Sequence, residues 1–288
     1  MKLAVGFCFA LFAGVLLGAA CDDNELDKPL IEELAPNDGP LDLIHVHGLG
    51  VNPADGLLYV ATHTGLFRLK DGKPELVGKR NWDVMGFTVR GPNDFIGGGH
   101  PSPNEIRDGK YPPLLGFIQS KDAAKNWDIL AMKGEADLHA LAVHDGMIYA
   151  VDATKGNFLA SPDGKKWETR SQLTASSITV ESDGKILATT TKGTQRSADQ
   201  GRTWTPVADA PALVLVATQP AAGAWGIDGK GVVYQMGGGG SWVRVGNVQG
   251  RPEAFAATSD RLFAATDQGI FESRDGRTWT ALYKAPGG

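Results

Sequence analysis

Ser197-Ala198-Asp199-Gln200-Gly201-Arg202-Thr203-Trp204 reads as a tight turn closed by a large aromatic ring. The serine and aspartate can bond to the backbone of the bend, the glycine can take a positive φ, and the tryptophan has a ring to bury just beyond it. The pattern returns one residue shorter at Ser161-Pro162-Asp163-Gly164-Lys165-Lys166-Trp167 and at Ser273-Arg274-Asp275-Gly276-Arg277-Thr278-Trp279. Ser120-Lys121-Asp122-Ala123-Ala124-Lys125-Asn126-Trp127 has lost its glycine, and the stretch 237–242, ending in Trp242, is a worn further copy. These tryptophans stand about 37 to 40 residues apart.

Working outward from the turns, each is preceded by a short apolar, β-branched run. Examples are Leu58-Tyr59-Val60-Ala61-Thr62, Ile148-Tyr149-Ala150-Val151-Asp152, Ile186-Leu187-Ala188-Thr189-Thr190 and Leu262-Phe263-Ala264-Ala265-Thr266. Breaks rich in Asp-Gly, Pro-Asn and Gly-Gly recur between the runs, and no 3.6-residue period is sustained, so the body is all-β. A fixed period in this range with four strand-like segments per unit predicts a β-propeller. Aligned on their second strands, the units number six: 41–81, 82–134, 135–173, 174–210, 211–249 and 250–285. The first carries Lys70-Asp71-Gly72-Lys73 in place of the full turn, and the second is lengthened by the proline-rich stretch 101–113 between its second and third strands. With every unit complete, closing the ring need not borrow a strand, although residues 30–34 offer a segment that could pair with an edge.

Residues 1–20 read as an export signal, with Lys2 ahead of an apolar run over 3–17 and small residues after it. Residues 21–40 are acidic and dotted with proline and glycine, as in a solvated tether, and the propeller occupies 41–288. The 2 cysteines are Cys8 and Cys21. Cys8 lies within the signal, so the mature chain is expected to have no internal disulfide. The net charge is −5 with no lysine or arginine cluster, which excludes an electrostatic footprint for nucleic acid.

Histidine breaks the equivalence of the repeats, because all 6 fall in the first three units. With the innermost strands aligned on Val51, Val89 and Val143, the residue four before each is His47, Met85 and His139, and six before is His45, Asp83 and Asp137. In units four to six these places fall near Ser176, Leu213 and Glu253. His63 and His100 share the end of the second strand, which lies on the same edge as the start of the first because the two run antiparallel. Five histidines thus converge on one face near the axis. The Asp-Gly turns fall on the opposite face, with His144 read there as an exposed surface residue, and the 101–113 insertion, carrying Glu105, Arg107 and Tyr111, falls on the histidine face as a candidate lid. Imidazoles in this number, with Met85 beside them and no thiolate, point to a transition-metal site, copper favoured over zinc or calcium, or to another small ligand. Asp83 and Asp137 are candidate ligands or groups that orient an imidazole N–H.

The turns match the Asp-box, Ser-x-Asp-x-Gly-x-Thr-Trp, and so the chain resembles the propellers of sialidases, sortilin-type receptors and photosystem assembly factors. That likeness raises a rival reading, a glycoside hydrolase using Asp83, Asp137 or Glu253 as its carboxyl pair. Against a sialidase stands the arginine pattern: no Arg-Ile-Pro precedes the first unit, Arg202, Arg274 and Arg277 lie in the turns on the far face, and only Arg80, Arg107 and Arg251 are placed to reach the site. The segments His45-Val46-His47-Gly48-Leu49-Gly50, Thr62-His63-Thr64-Gly65, Met85-Gly86-Phe87-Thr88-Val89, Gly99-His100-Pro101, Pro112-Pro113-Leu114-Leu115-Gly116 and Leu138-His139-Ala140-Leu141 together resemble a family of exported bacterial Asp-box propellers labelled glycosyl hydrolase-like on their repeats. The resemblance implies a shared fold and export route, without an activity. Leu17-Gly18-Ala19-Ala20-Cys21 likewise resembles the lipobox of bacterial lipoproteins, which implies cleavage before Cys21, its lipidation, and a membrane anchor facing the periplasm or cell exterior. A third function class is a non-catalytic scaffold that docks a protein partner on the histidine face.

Overall fold

The computed structural model describes residue 43 and residues 45–286. The export signal, the tether, Cys21 and the 30–34 segment lie outside these residues.

Six four-stranded antiparallel sheets form a six-bladed β-propeller, each sheet a simple meander in chain order. Blade one holds β1 (Val46–Val51), β2 (Leu58–Thr62), β3 (Gly65–Lys70) and β4 (Lys73–Leu76). Blade two holds β5 (Asp83–Gly91), β6 (Asp94–His100), β7 (Phe117–Ser120) and β8 (Asp128–Ala131), with the single turn of helix α1 (Pro103–Arg107) between β6 and β7. Blade three holds β9 (Leu138–His144), β10 (Met147–Asp152), β11 (Asn157–Ser161) and β12 (Glu168–Gln172). Blade four comprises β13 (Ser177–Val180), β14 (Ile186–Thr190), β15 (Gly193–Ser197) and β16 (Thr205–Pro206). Blade five comprises β17 (Leu213–Gln219), β18 (Gly223–Asp228), β19 (Val232–Met236) and β20 (Trp242–Asn247), and blade six β21 (Pro252–Ala257), β22 (Leu262–Thr266), β23 (Gly269–Ser273) and β24 (Thr280–Lys284).

The second strands are buried throughout their length in blades one and six, because a blade is covered on both faces by its neighbours. Their near-continuous apolar sequence follows from that double burial. The ring closes through side chains: Val46, Leu49, Val60 and Phe67 of blade one pack against Ala254, Phe263, Ala265 and Ile270 of blade six. Blades one and six are each built from four consecutive strands, so no strand is exchanged at the seam.

The turns after the third strands are held as their sequence suggests. In the 197–204 turn the Gly201 N–H donates to Ser197 Oγ at 2.8 Å, and Asp199 Oδ1 accepts from the N–H groups of Arg202 and Thr203 at 3.0 and 2.9 Å. The 161–167 and 273–279 turns repeat this arrangement. The turn tryptophans are half-buried, packed against the core without being enclosed by it. Trp167 and Trp204 meet Phe117 and Phe158 of the preceding blade edge to face, at centroid distances of 5.1 and 5.0 Å. The same phenylalanines demand glycine in the turns, for a Cβ on Gly201, where φ is +84°, would stand 2.1 Å from Phe158 Cε1. The turn lacking glycine meets the same backbone demand with Ala123 and Ala124 at φ of 58° and 67°.

Gly201→Ala is therefore expected to lower the unfolding free energy by roughly 2 to 4 kcal/mol, combining a left-handed backbone cost with overpacking against Phe158. Ala124→Gly should stay within about 1 kcal/mol of the parent, since relief of its positive φ offsets the lost methyl. Urea unfolding curves measure both, and a Gly201→Ala midpoint equal to the parent's would remove the steric account.

Candidate metal centre

The innermost strands of five blades are broken at their start by a β-bulge, and the bulge carries the residues that set this mouth of the ring apart. His47 is the unpaired residue between Val46 and Gly48 in β1. Met85, with Gly86, occupies the bulge of β5, and His139 that of β9. In blades five and six the corresponding residues are Val214, one place beyond the Leu213 expected from spacing, and Glu253. Blade four has no bulge; Ser176 precedes β13 and its N–H bonds to the Thr189 carbonyl at 2.9 Å. A bulge bends its strand and re-aims one side chain, so in these five blades the bulge position is a structural address.

Two compact groups of ligand-type side chains stand at this mouth, at successive blade junctions. In the first, His47 of β1 and His63 of the β2–β3 turn meet Asp83, the first residue of β5. His63 Nδ1 lies 2.9 Å from Asp83 Oδ2, and the His47 Nε2 and His63 Nδ1 atoms are 3.2 Å apart. His45, in a left-handed conformation at φ 50°, stacks on His63 at 5.1 Å and lies edge-on to His47 at 4.8 Å. Glu253 closes the far side, accepting the Val46 N–H at 3.0 Å and standing 3.4 Å from His45 Nδ1. In the second group His100, at the end of β6, and His139 of β9 direct Nε2 atoms to Asp137 Oδ2 at 3.6 and 2.7 Å. Within each of the sets His45, His47, His63 and His100, Asp137, His139 the ligand atoms lie within 4.8 Å of one another. The single cluster expected from spacing resolves into two because Asp83 meets His47 and His63 of blade one, while Asp137 meets His100 of blade two and His139 of its own blade.

Several neighbours hold these groups in place. The Asp137 backbone N–H donates to Asp152 Oδ1 at 3.1 Å, which also receives the Thr154 N–H at 3.1 Å. Gly99 permits the β5–β6 approach that sets Asp83 beside His100, since a Cβ there would stand 2.0 Å from the Asp83 carbonyl oxygen. His100 Nδ1 donates to the Pro113 carbonyl at 3.0 Å, which leaves Nε2 as the nitrogen facing Asp137.

Burial by itself would raise the Asp83 carboxyl, but the adjoining imidazoles of His47 and His63 outweigh it and hold the group well below the usual carboxylate range. Burial and the imidazoles of His100 and His139 act on Asp137 in the same way, with the same result. The bond to Asp83 raises His63, and the bond to Asp137 raises His100, both against burial. Burial and then the His47 ring lower His45. His47 Nε2 is 3.3 Å from Asp83 Oδ1 but lacks hydrogen-bond alignment. Among the described residues, the Asp83 Oδ1 and Asp137 Oδ1 atoms are covered and have no hydrogen-bond partner.

The 101–113 insertion lies at this mouth as expected, but it is pinned where a swinging lid would be free. Glu105 accepts from Trp82 Nε1 at 2.7 Å, Lys110 Nζ at 2.9 Å, Arg80 Nη1 at 3.2 Å and Ser102 Oγ at 3.2 Å. Tyr111 sits edge-on to the buried Trp82 at 5.5 Å, with the Arg80 guanidinium 4.5 Å above the indole. Of the arginines placed near the site, Arg80 is thus engaged by the insertion, Arg107 bonds to Asn104, and Arg251 Nη2 stands 3.9 Å from Glu253. His144, at the opposite end of β9, is half-buried beside Asp145 at 3.4 Å, because it packs near Gly184 of blade four. Spacing located the histidines, Asp83, Asp137, Met85 and Glu253; Asp152, the Pro113 carbonyl and the Trp82–Glu105 anchor carry no repeat signal.

The ring and its imidazole-carboxylate mouth define an all-β propeller with one chemically distinct face, and comparison with known proteins agrees on the fold. The family described as DUF6242 beta propeller domain matches residues 114–214, which span blades three and four. No curated protein matches the chain. An extracellular domain from B. thetaiotaomicron, assigned to a hybrid two-component system, is similar at TM-score 0.56 and 14% identity over 83% of this chain, which spans about a third (33%) of that one. A gluconolactonase from Xanthomonas campestris is similar at TM-score 0.63 and 14% identity, over 78% of this chain and 84% of that one. A GH74 xyloglucanase from Xanthomonas campestris is similar at TM-score 0.56 and 15% identity, over 84% of this chain and 46% of that one.

Removing the Glu105 carboxylate tests the anchoring. Glu105→Ala should leave the thermal midpoint of the ring within a few degrees of the parent while amides of residues 101–113 exchange at least about tenfold faster. Unchanged exchange across that segment would show that the Trp82 and Tyr111 packing alone holds it.

Proposed function

We propose that this protein is an exported, lipid-anchored Asp-box propeller that binds a transition-metal ion, copper favoured, at the histidine mouth of its ring. The observation that carries the reading is the convergence of imidazole nitrogens on two largely covered aspartates, His47 and His63 at Asp83 and His100 and His139 at Asp137. The 3.2 Å between His47 Nε2 and His63 Nδ1 supports it. Two imidazole nitrogens on one tetrahedral ion, with bonds of ~2.0–2.1 Å, would be about 3.3 Å apart. Imidazole and carboxylate donors suit copper(II) and zinc alike, and Met85 in the adjacent bulge is what favours copper. His45, in its left-handed backbone conformation, adds a third imidazole to the first group. The chain's residues would hold the ion, orient its ligands through the Pro113 carbonyl and Asp152, and leave positions open to a further ligand.

The hydrolase reading draws on the likeness to a GH74 xyloglucanase and on the presence of three carboxylates. Glycoside hydrolysis requires one carboxyl to stay protonated as the acid. Asp83 and Asp137 are both held as anions by imidazole, which favours metal binding over that chemistry. The anchor rests on Leu17-Gly18-Ala19-Ala20-Cys21 and the acidic stretch behind it.

Metal analysis of the purified full-length chain after incubation with copper(II) or zinc(II) and desalting is expected to show bound copper, and a His47→Ala, His139→Ala double variant should lose at least about nine-tenths of it. Trace metal in both preparations would end the metal reading and leave the face as a docking surface. Palmitate labelling in a bacterial host should be abolished by Cys21→Ser, and labelling that survives the change would remove the anchor.

A further inference from the structure

Two ligand groups stand apart at this mouth, and the geometry points to two ions per chain, one held by His45, His47 and His63 beside Asp83 and the other by His100, His139 and Asp137. This inference rests on the metal reading and concerns its stoichiometry and arrangement.

Two members of each group correspond through the repeat. In each group one imidazole comes from the end of a second strand, His63 after β2 and His100 at the end of β6. In each, the carboxylate comes from the start of the next blade's innermost strand: Asp83 opens β5, and Asp137 stands one residue ahead of β9. The bulge imidazole differs in place: His47 of β1 belongs to the blade that supplies His63, whereas His139 of β9 belongs to the blade that Asp137 opens, and Met85 of β5 stands at the repeat equivalent of both. The β5 register pairs Asp83 directly with His100, so the carboxylate of the first group and an imidazole of the second are cross-strand neighbours within blade two.

Each group is also sufficient by itself. Three ligand atoms within 4.8 Å of one another are present in each without borrowing from the other. Each contains one carboxylate oxygen bonded to imidazole and one buried oxygen, Asp83 Oδ1 or Asp137 Oδ1, without a hydrogen-bond partner. Each has its own support for an imidazole: Asp83 bonded to His63, and the Pro113 carbonyl bonded to His100. A single ion shared by His47, His63, His100 and His139 would have to lie between two groups that the structure gathers at separate aspartates. Three ligands per ion leave positions open, the arrangement of a centre that exchanges ions or accepts a ligand between them.

Copper(II) titration of the metal-free full-length chain, read by calorimetry and by metal content after desalting, distinguishes the possibilities. Two ions per chain are expected for the parent, with His63→Gln and His100→Gln each retaining one. Glutamine keeps each partly exposed site polar, and an unchanged circular dichroism spectrum confirms that the ring is intact. Should a variant fail to fold, the parent's stoichiometry alone decides. One ion per chain in the parent, lost from both variants, would overturn the two-ion arrangement while leaving metal binding in place. No bound ion in the parent would overturn both.

Discussion

A four-stranded sheet that is apolar on both faces cannot stay in water as an isolated unit, and that constraint organises this protein. The second strands of blades one and six are buried at every position because another blade covers each face. Only a closed ring gives every blade two neighbours, and closure here is made by side-chain packing across the seam between blades one and six. The turns serve the same end. Their glycines let Phe117 and Phe158 approach from the preceding blade, so local turn chemistry and interblade packing are specified by the same residues.

The ring also creates the site. Junctions between blades bring the end of one second strand beside the start of the next first strand, residues that are about 20 to 40 positions apart in the chain, such as His63 and Asp83 or His100 and Asp137. The bulges then turn His47 and His139 toward those junctions. Blade five shows the same bulge carrying Val214 and blade four lacks it, with Ser176 ahead of its strand, which indicates that the ring tolerates other occupants at this place. Imidazoles concentrated in three neighbouring blades are therefore an addition to the propeller, paid for in buried anionic oxygens that the protein does not itself satisfy.

Much of this was legible in the chain because propeller sequence is nearly one-dimensional. The strand count, the blade boundaries, the turn hydrogen bonds and the equivalence of His47, Met85 and His139 all follow from a period that spacing alone reveals. Burial of the turn tryptophans was read too deep, since ring size says nothing about where the blade edge meets solvent. The insertion was read as a cover because proline content signals stiffness without saying what holds the segment. Its fixity comes from Glu105 reaching Trp82 and Arg80, residues that lie before β5 and about 25 positions away.

What the sequence by itself determined is the set of equivalent positions, because equivalence is a property of period and turn chemistry, both local. It also determined which face the histidines occupy, since antiparallel order places second-strand ends beside first-strand starts. What only the tertiary structure decided is how those side chains are partitioned. Two groups form where one was expected, because each aspartate stands at the start of a different blade and meets the imidazoles at its own junction, and bulges, which carry no residue signature, present His47 and His139.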